Sequence, residues 1–159
     1  MKITDVSAVY PNYQNVPASW RTHFWQIVVK VETDAGETGY GYGGGGRAAV
    51  EVVNRHFSEL VEGCDLNSVG DIAAIWDSVY LESLPYGRKG VAVMALSGLD
   101  LALFDALGKA EGKPVYELLG GARKGAIFSY ATGADSQWYG ELGFKATKFP
   151  HRWTGEADY

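Results

Sequence analysis

Three stretches of this chain carry side chains able to meet an anionic, oxygen-rich ligand. The first holds Arg21, with His23 two residues on. A guanidinium fork pairs in two bonds with a carboxylate or with the hydroxyls of a polyol acid, and in a strand His23 shares the face of Arg21. The second is Gly43 to Arg47 (GGGGR), where Arg47 is the one charged group. The third is Gly143 to Pro150 (GFKATKFP), followed directly by His151. A lysine on a strand can remove a proton only if a cationic, partly desolvated setting lowers its pKa toward neutrality; Lys148 is read as an electrostatic group. Lys145 lies three residues away, on the opposite face of a strand, and is directed away from whatever Lys148 meets.

Other chemical patterns fail on their context. Gly39 to Gly44 satisfies G-x-G-x-x-G and a helix follows, with Glu59 about twenty residues after Gly39. A dinucleotide site requires a parallel strand-helix-strand unit. The strand before these glycines is instead joined by the tight turn Asp34-Ala35-Gly36, which makes the pair antiparallel. No Lys-Ser or Lys-Thr follows the glycines, so a P-loop fails too. Cys64 is the single cysteine and follows Gly63 at a helix end without a histidine partner, so it reads as structural. His56 lies beside an apolar helix face and reads as a packing residue.

Composition bounds the partners. The 159 residues suffice for one ordinary domain, with 47% hydrophobic and 21% charged residues. Fourteen basic against nineteen acidic side chains give a net charge of −5, which argues against nucleic acid as the main partner. One cysteine excludes an internal disulfide and fits a reducing compartment. The N-terminus MKITDVSAVY is too polar for a signal peptide, and no run approaches the roughly 20 apolar residues of a membrane span. A cytoplasmic protein that engages neither membrane nor nucleic acid is expected.

Residues 2–10 read as a strand, 11–21 as a loop rich in Pro and Asn, 22–33 as a second strand, and 37–42 as a third that returns after the Asp-Ala-Gly turn. Helical period begins after Gly46, with Val50, Val53, Phe57, Leu60 and Val61 on one face and Gly63 as the stop. A second helix is predicted over 68–80, then a loop over 81–89. From Ala126 the order is strand, short helix, strand, the beginning of a parallel sheet or barrel. Strands first and helices afterwards make the leading part α+β.

The longest organised stretch is Gly90 to Arg123, GVAVMALSGLDLALFDALGKAEGKPVYELLGGAR. Val91, Ala95, Leu99, Ala102, Leu103 and Ala106 recur at helical spacing, and Ser97, Asp100 and Asp105 are read inside that apolar field as polar groups in need of partners. Pro114 opens a short helix that Gly120-Gly121 close. With Ala95, Ser97, Asp100, Ala102, Leu103, Asp105, Lys109, Pro114, Leu118, Gly120 and Gly121, the stretch resembles the first signature of the mandelate racemase and muconate lactonizing group of the enolase superfamily.

The resemblance implies a capping domain over residues 1–124 and, over 125–159, the start of a (β/α) barrel that stops incomplete, so that the chain is expected to be the front part of a longer enzyme. In that family the first loop and the Gly43–Arg47 region approach the substrate, which makes Arg21, His23 and Arg47 candidate substrate-binding residues, and His151, directly after Pro150 and within reach of the barrel mouth, is a further candidate. The second barrel strand commonly carries Lys-x-Lys. Here Lys148 holds the first position, as an electrostatic partner of the substrate carboxylate, and Pro150 holds the second, where a proline cannot be a base. The run Lys148-Phe149-Pro150, and Tyr130 to Ala134 before it, resemble the L-rhamnonate dehydratase branch of acid-sugar dehydratases. The implied reaction is loss of water from a sugar acid to a 2-keto-3-deoxy acid, with Mg²⁺ held by three acidic residues and a late histidine as base, none assignable in this chain. The parent is expected to be a homo-oligomer, and the 159-residue chain alone to be inactive and to associate through open strand edges. A racemase, epimerase or cycloisomerase of the same superfamily is the alternative, as is a binding or assembly module without catalysis.

Overall fold

The computed structural model describes residues 1–11 and 25–149. The chain divides into two compact units, Met1–Gly121 and Ala122–Tyr159.

In the first unit, β1 (Ile3–Val9), β2 (Ile27–Thr33) and β3 (Thr38–Gly43) form an antiparallel sheet in that spatial order. Period-2 alternation buries Ile27, Val29 and Val31 on one face, and β-branched residues suit that half-buried surface. Gly36 closes the β2–β3 turn, its N–H donating to the Thr33 carbonyl at 3.0 Å. The second strand runs from Ile27, with Trp25 and Gln26 leading into it, and the expected start over Thr22 to Phe24 lies outside the described residues.

Helices α1 (Gly46–Val52) and α2 (Ser58–Val61) flank a π-helical turn, Val53–Phe57. Ala49, Val53, Phe57 and Val61 form the buried row, whereas Val50 and Leu60 are only partly buried. Helix α3 (Val69–Gly87) starts at a Ser68 cap, whose hydroxyl accepts from the Asp71 N–H at 3.2 Å. It then runs through Pro85 to Gly87, so the loop expected over 81–89 is in large part helix. Packing outweighs the roughly 3 kcal/mol that a proline costs in a helix interior. Ser83 is buried and donates to the Tyr80 carbonyl at 3.0 Å, and Gly87 lies so close to Ala92 that a Cβ there would stand 2.1 Å from the alanine's own.

Helix α4 (Val91–Glu111) is the core helix. Its apolar row of Ala95, Leu99, Ala102, Leu103 and Ala106 is buried, while Val91 is exposed. Ser97 is exposed and Asp100 and Asp105 are half-buried, so the three polar residues line the margin of the apolar field rather than its interior. By length and composition α4 could cross a membrane, contrary to the expectation from sequence; 56% of its most apolar window is buried in the protein, as befits a helix laid on a sheet. That sheet surface is β3, whose inward residues are Gly39, Gly41 and Gly43. A Cβ on Gly39 would stand 2.0 Å from the Ala102 carbonyl oxygen, and one on Gly41 2.1 Å from that of Gly98. The glycine run is a packing surface for the helix backbone, and β2 and β3 are antiparallel. A short helix α5 (Val115–Leu118) follows, ended by Gly120 and Gly121 at φ 99° and 87°.

In the second unit, β4 (Ala131–Thr132) and β5 (Thr147–Lys148) pair in parallel, joined through α6 (Ser136–Glu141). The strand-helix-strand order is as predicted, but the paired strands are only two residues long.

Candidate functional site

Gly44 and Gly46 fix the turn that leaves β3. The Gly44 N–H donates to the Met94 carbonyl at 3.2 Å, and the Gly46 N–H to the Trp25 carbonyl at 2.7 Å. The turn is therefore tied both to the first turns of α4 and to the lead-in of β2. It delivers Arg47 to the exposed start of α1, with the guanidinium carbon 4.8 Å above the centre of the Tyr10 ring. A cation over an aromatic face contributes about 0.5–1 kcal/mol at an exposed site and restrains the side chain. Tyr10 escaped the sequence reading; an aromatic residue at the end of a strand beside a candidate cation is the signal that could have found it.

Beside this turn lies an open cleft of about 380 Å³, bordered by Trp25, Gln26, Tyr42, Met94, Ser97 and Leu101. Trp25 and Tyr42 are more than half exposed. The Ser97 hydroxyl donates to the Val93 carbonyl of its own helix at 2.9 Å. Among the described residues that line the cleft, Tyr42 carries the one titratable side chain, a phenol, and none is a carboxylate, imidazole, amine or guanidinium.

Lys148 ends β5 opposite Thr132, and its carbonyl accepts from the Gly133 N–H at 3.1 Å. The side chain is exposed, and among the described residues no carboxylate stands within ion-pair distance of it. Lys145 is exposed and precedes the strand. Asp135 caps α6 by accepting from the Trp138 N–H at 3.0 Å. Of the five candidate site residues, Arg47 thus belongs to the first unit and Lys148 to the second, and Arg21, His23 and His151 lie outside the described residues, as does Pro150.

Two further titratable groups stand apart from these. Asp100, on α4, borders a smaller cleft of about 220 Å³ with Trp76, Asp77 and Phe104, and burial pushes its carboxyl above the ordinary aspartate range. His56, expected to be a packing residue, packs edge-on against the Tyr86 ring with centroids 5.6 Å apart and also hydrogen-bonds through Nδ1 to the Tyr86 hydroxyl at 2.6 Å. The family's Mg²⁺ finds no holder here: among the described residues no three His, Cys, Asp or Glu side chains converge on one point.

An antiparallel three-stranded sheet backed by a long helix, followed by a parallel strand-helix-strand unit, defines the class. The family model of the mandelate racemase / muconate lactonizing enzyme N-terminal domain matches residues 5–120. The chain belongs to this family of the enolase superfamily. A Caldivirga maquilingensis protein, provisionally named an L-rhamnonate dehydratase, is 38% identical over 144 residues, which are 90% of this chain and 35% of the relative. The Gibberella zeae rhamnonate dehydratase, solved with Mg, is 26% identical with a TM-score of 0.77 over 94% of this chain and 44% of its own. A Sinorhizobium meliloti protein, provisionally named an isomerase and solved in an open loop conformation, is 27% identical with a TM-score of 0.70, covering 93% of this chain and 46% of that one. The chain thus spans about a third of its curated relative and less than half of each of these solved ones.

Proposed function

We propose that this chain supplies the capping domain, residues 1–124, and the first strand-helix-strand unit, 125–159, of a cytoplasmic acid-sugar dehydratase. The single observation that carries the reading is Lys148 at the end of the second strand of a parallel pair, within a 144-residue match to a relative named for rhamnonate dehydration. The reaction is loss of water from a sugar acid to a 2-keto-3-deoxy acid. It begins with removal of the proton next to the carboxylate, which creates a second negative charge beside the first. The Lys148 ammonium, paired with that carboxylate, lowers the cost of the charge. Arg47, held against Tyr10, offers a fork for carboxylate or hydroxyl oxygens at the capping-domain surface, and Arg21, His23 and His151 are proposed as further substrate-binding residues. Among the described residues no Mg²⁺ site is found, and the Mg²⁺ ligands and the general base are assigned to later barrel strands; the full-length parent is proposed to be a homo-oligomer. The lone, half-buried Cys64 fits the reducing compartment.

The test is to read the coding frame past Tyr159 and weigh the native polypeptide. The reading expects three acidic residues at successive later strand ends, a histidine paired with an aspartate after them, and 2-keto-3-deoxy product from L-rhamnonate or a related sugar acid. A native chain that ends at Tyr159, or a longer native protein that converts no sugar acid, would refute it. The relative named an isomerase favours a second reading, racemisation or epimerisation, which would yield a new chiral isomer and no keto-deoxy acid.

A further inference from the structure

A three-stranded sheet has two edges, and unpaired N–H and C=O groups along an edge are a template for another chain. At β3, Tyr40 pairs with Lys30 but turns its N–H away from β2, and the Asp105 Oδ2 accepts it at 2.8 Å. The Lys109 Nζ donates to the Thr38 carbonyl at 2.7 Å, ion-pairs with Asp105 at 2.7 Å, and stands 5.2 Å from the centre of the Tyr40 ring. One helical turn of α4 thus presents an acceptor and a donor in the places where a neighbouring strand would put its carbonyl and its N–H. At β1 the arrangement repeats with one side chain. The Asn54 amide accepts from the Ala8 N–H at 2.6 Å and donates to the Ala8 carbonyl at 3.0 Å. Further along β1, backbone groups continue the closure: the Ile3 N–H donates to the Cys64 carbonyl at 3.0 Å, and the Gly63 N–H to the Ile3 carbonyl at 2.8 Å.

These contacts have a common cause in the helices that carry them. Asn54 belongs to the π-helical turn, whose Val53 and Phe57 are buried, so the turn is anchored while the amide reaches the strand. Asp105 and Lys109 are four residues apart on α4, the spacing at which side chains meet, and the glycines of β3 bring the helix close enough for both to reach the edge.

We propose that Asn54 on one side and the Asp105–Lys109 pair on the other act as strand substitutes, closing both edges of the sheet to a second copy of this chain. Neither set needs a ligand for this role. Association of the chain then runs through surfaces other than its capping-domain sheet, and removing a substitute turns that edge into a self-association site.

The experiment uses the 159-residue chain in four forms: unsubstituted, D105A/K109A, N54L, and L99A as a core change that touches neither edge. Light scattering gives the mass over a concentration series, circular dichroism confirms the fold, and hydrogen exchange follows the peptides holding Tyr40 and Ala8. In D105A/K109A the Tyr40 peptide is expected to exchange about tenfold faster at low concentration. At high concentration its mass should rise and its exchange slow again as a second strand takes the vacated place. N54L should do the same at Ala8, and neither the L99A nor the unsubstituted chain should do so at either edge. Folded edge variants whose exchange does not depend on concentration, or an L99A chain that behaves as they do, would overturn the proposal. If D105A/K109A does not fold, K109M, which leaves Asp105 on Tyr40, is read by the same criteria alongside N54L.

Discussion

Replacing Gly41 by alanine adds one methyl group where the structure has no room for it. The new Cβ would stand 2.1 Å from the Gly98 carbonyl oxygen, 2.6 Å from the Ala102 nitrogen and 2.8 Å from the Leu101 Cβ. Two of these three atoms are helix backbone, so no side-chain rotation relieves the clash, and α4 must withdraw by about 1 Å. Withdrawal strains the Asp105 bond to the Tyr40 N–H and the Gly44 bond to the Met94 carbonyl. Overpacking of this kind costs about 1–3 kcal/mol and each weakened hydrogen bond about 1 kcal/mol. The gain from removing a glycine from a strand offsets about 0.5–1 kcal/mol. The expected net loss is about 3 kcal/mol, measured as the shift in the urea midpoint of the 159-residue chain at unchanged slope. Gly125→Ala is the comparison, because nothing lies within 4 Å of the added Cβ there, and it should be nearly neutral. A Gly41→Ala chain within 1 kcal/mol of the unsubstituted one would refute the account of the glycine strand as a bed for α4.

The remaining predictions address a cap, a titration and the proposed site. Ser68→Ala removes the cap of α3 and should cost about 1 kcal/mol by urea unfolding. Asp71, whose carboxylate accepts from the Asn67 N–H and the Ser68 hydroxyl, is held below the usual aspartate range, so its contribution is present at neutral pH and lost as acid protonates it. Asp100 has the opposite sign. Burial raises its folded-state pKa above the unfolded value, so the unfolded chain releases that proton first and stability falls as pH rises through the carboxylate range. Asp100→Asn should therefore stabilise the chain at pH 7, with the gain disappearing below about pH 4 in paired melts. In the proposed full-length dehydratase, Lys148→Ala should lower kcat/KM for a sugar acid by about a hundredfold; unchanged turnover would remove the lysine from the proposed mechanism.

Much of this molecule is written locally. The β-branched run of β2, the Asp34-Ala35-Gly36 turn, the Gly63 stop and the Pro114 and Gly120-Gly121 bounds of α5 each depend on residues a few positions apart, and all of them stand as the sequence predicts. The spacing of small, acidic and glycine residues from Ala95 to Gly121 is likewise sufficient to place the chain in its family. Of the candidate site, the sequence supplied residue types but not neighbours: that Arg47 rests on Tyr10 depends on a loop folding back on the end of a strand. The same limit explains the errors. Pro85 reads as a helix breaker until Ser83 and Gly87 are seen packed against the protein. Gly39 and Gly41 read as members of a strand, and Gly43 as the start of a substrate-facing loop, until Gly98 and Ala102 are laid on them. Asp105 reads as a polar group in need of a partner, and Asn54 carries no signal of its own, until β3 and β1 arrive beside them. Periodicity tells a segment which of its faces to bury. Only the tertiary structure decides what lies against that face, because contacts between residues distant in sequence settle how closely two backbones approach and which polar groups remain to be satisfied.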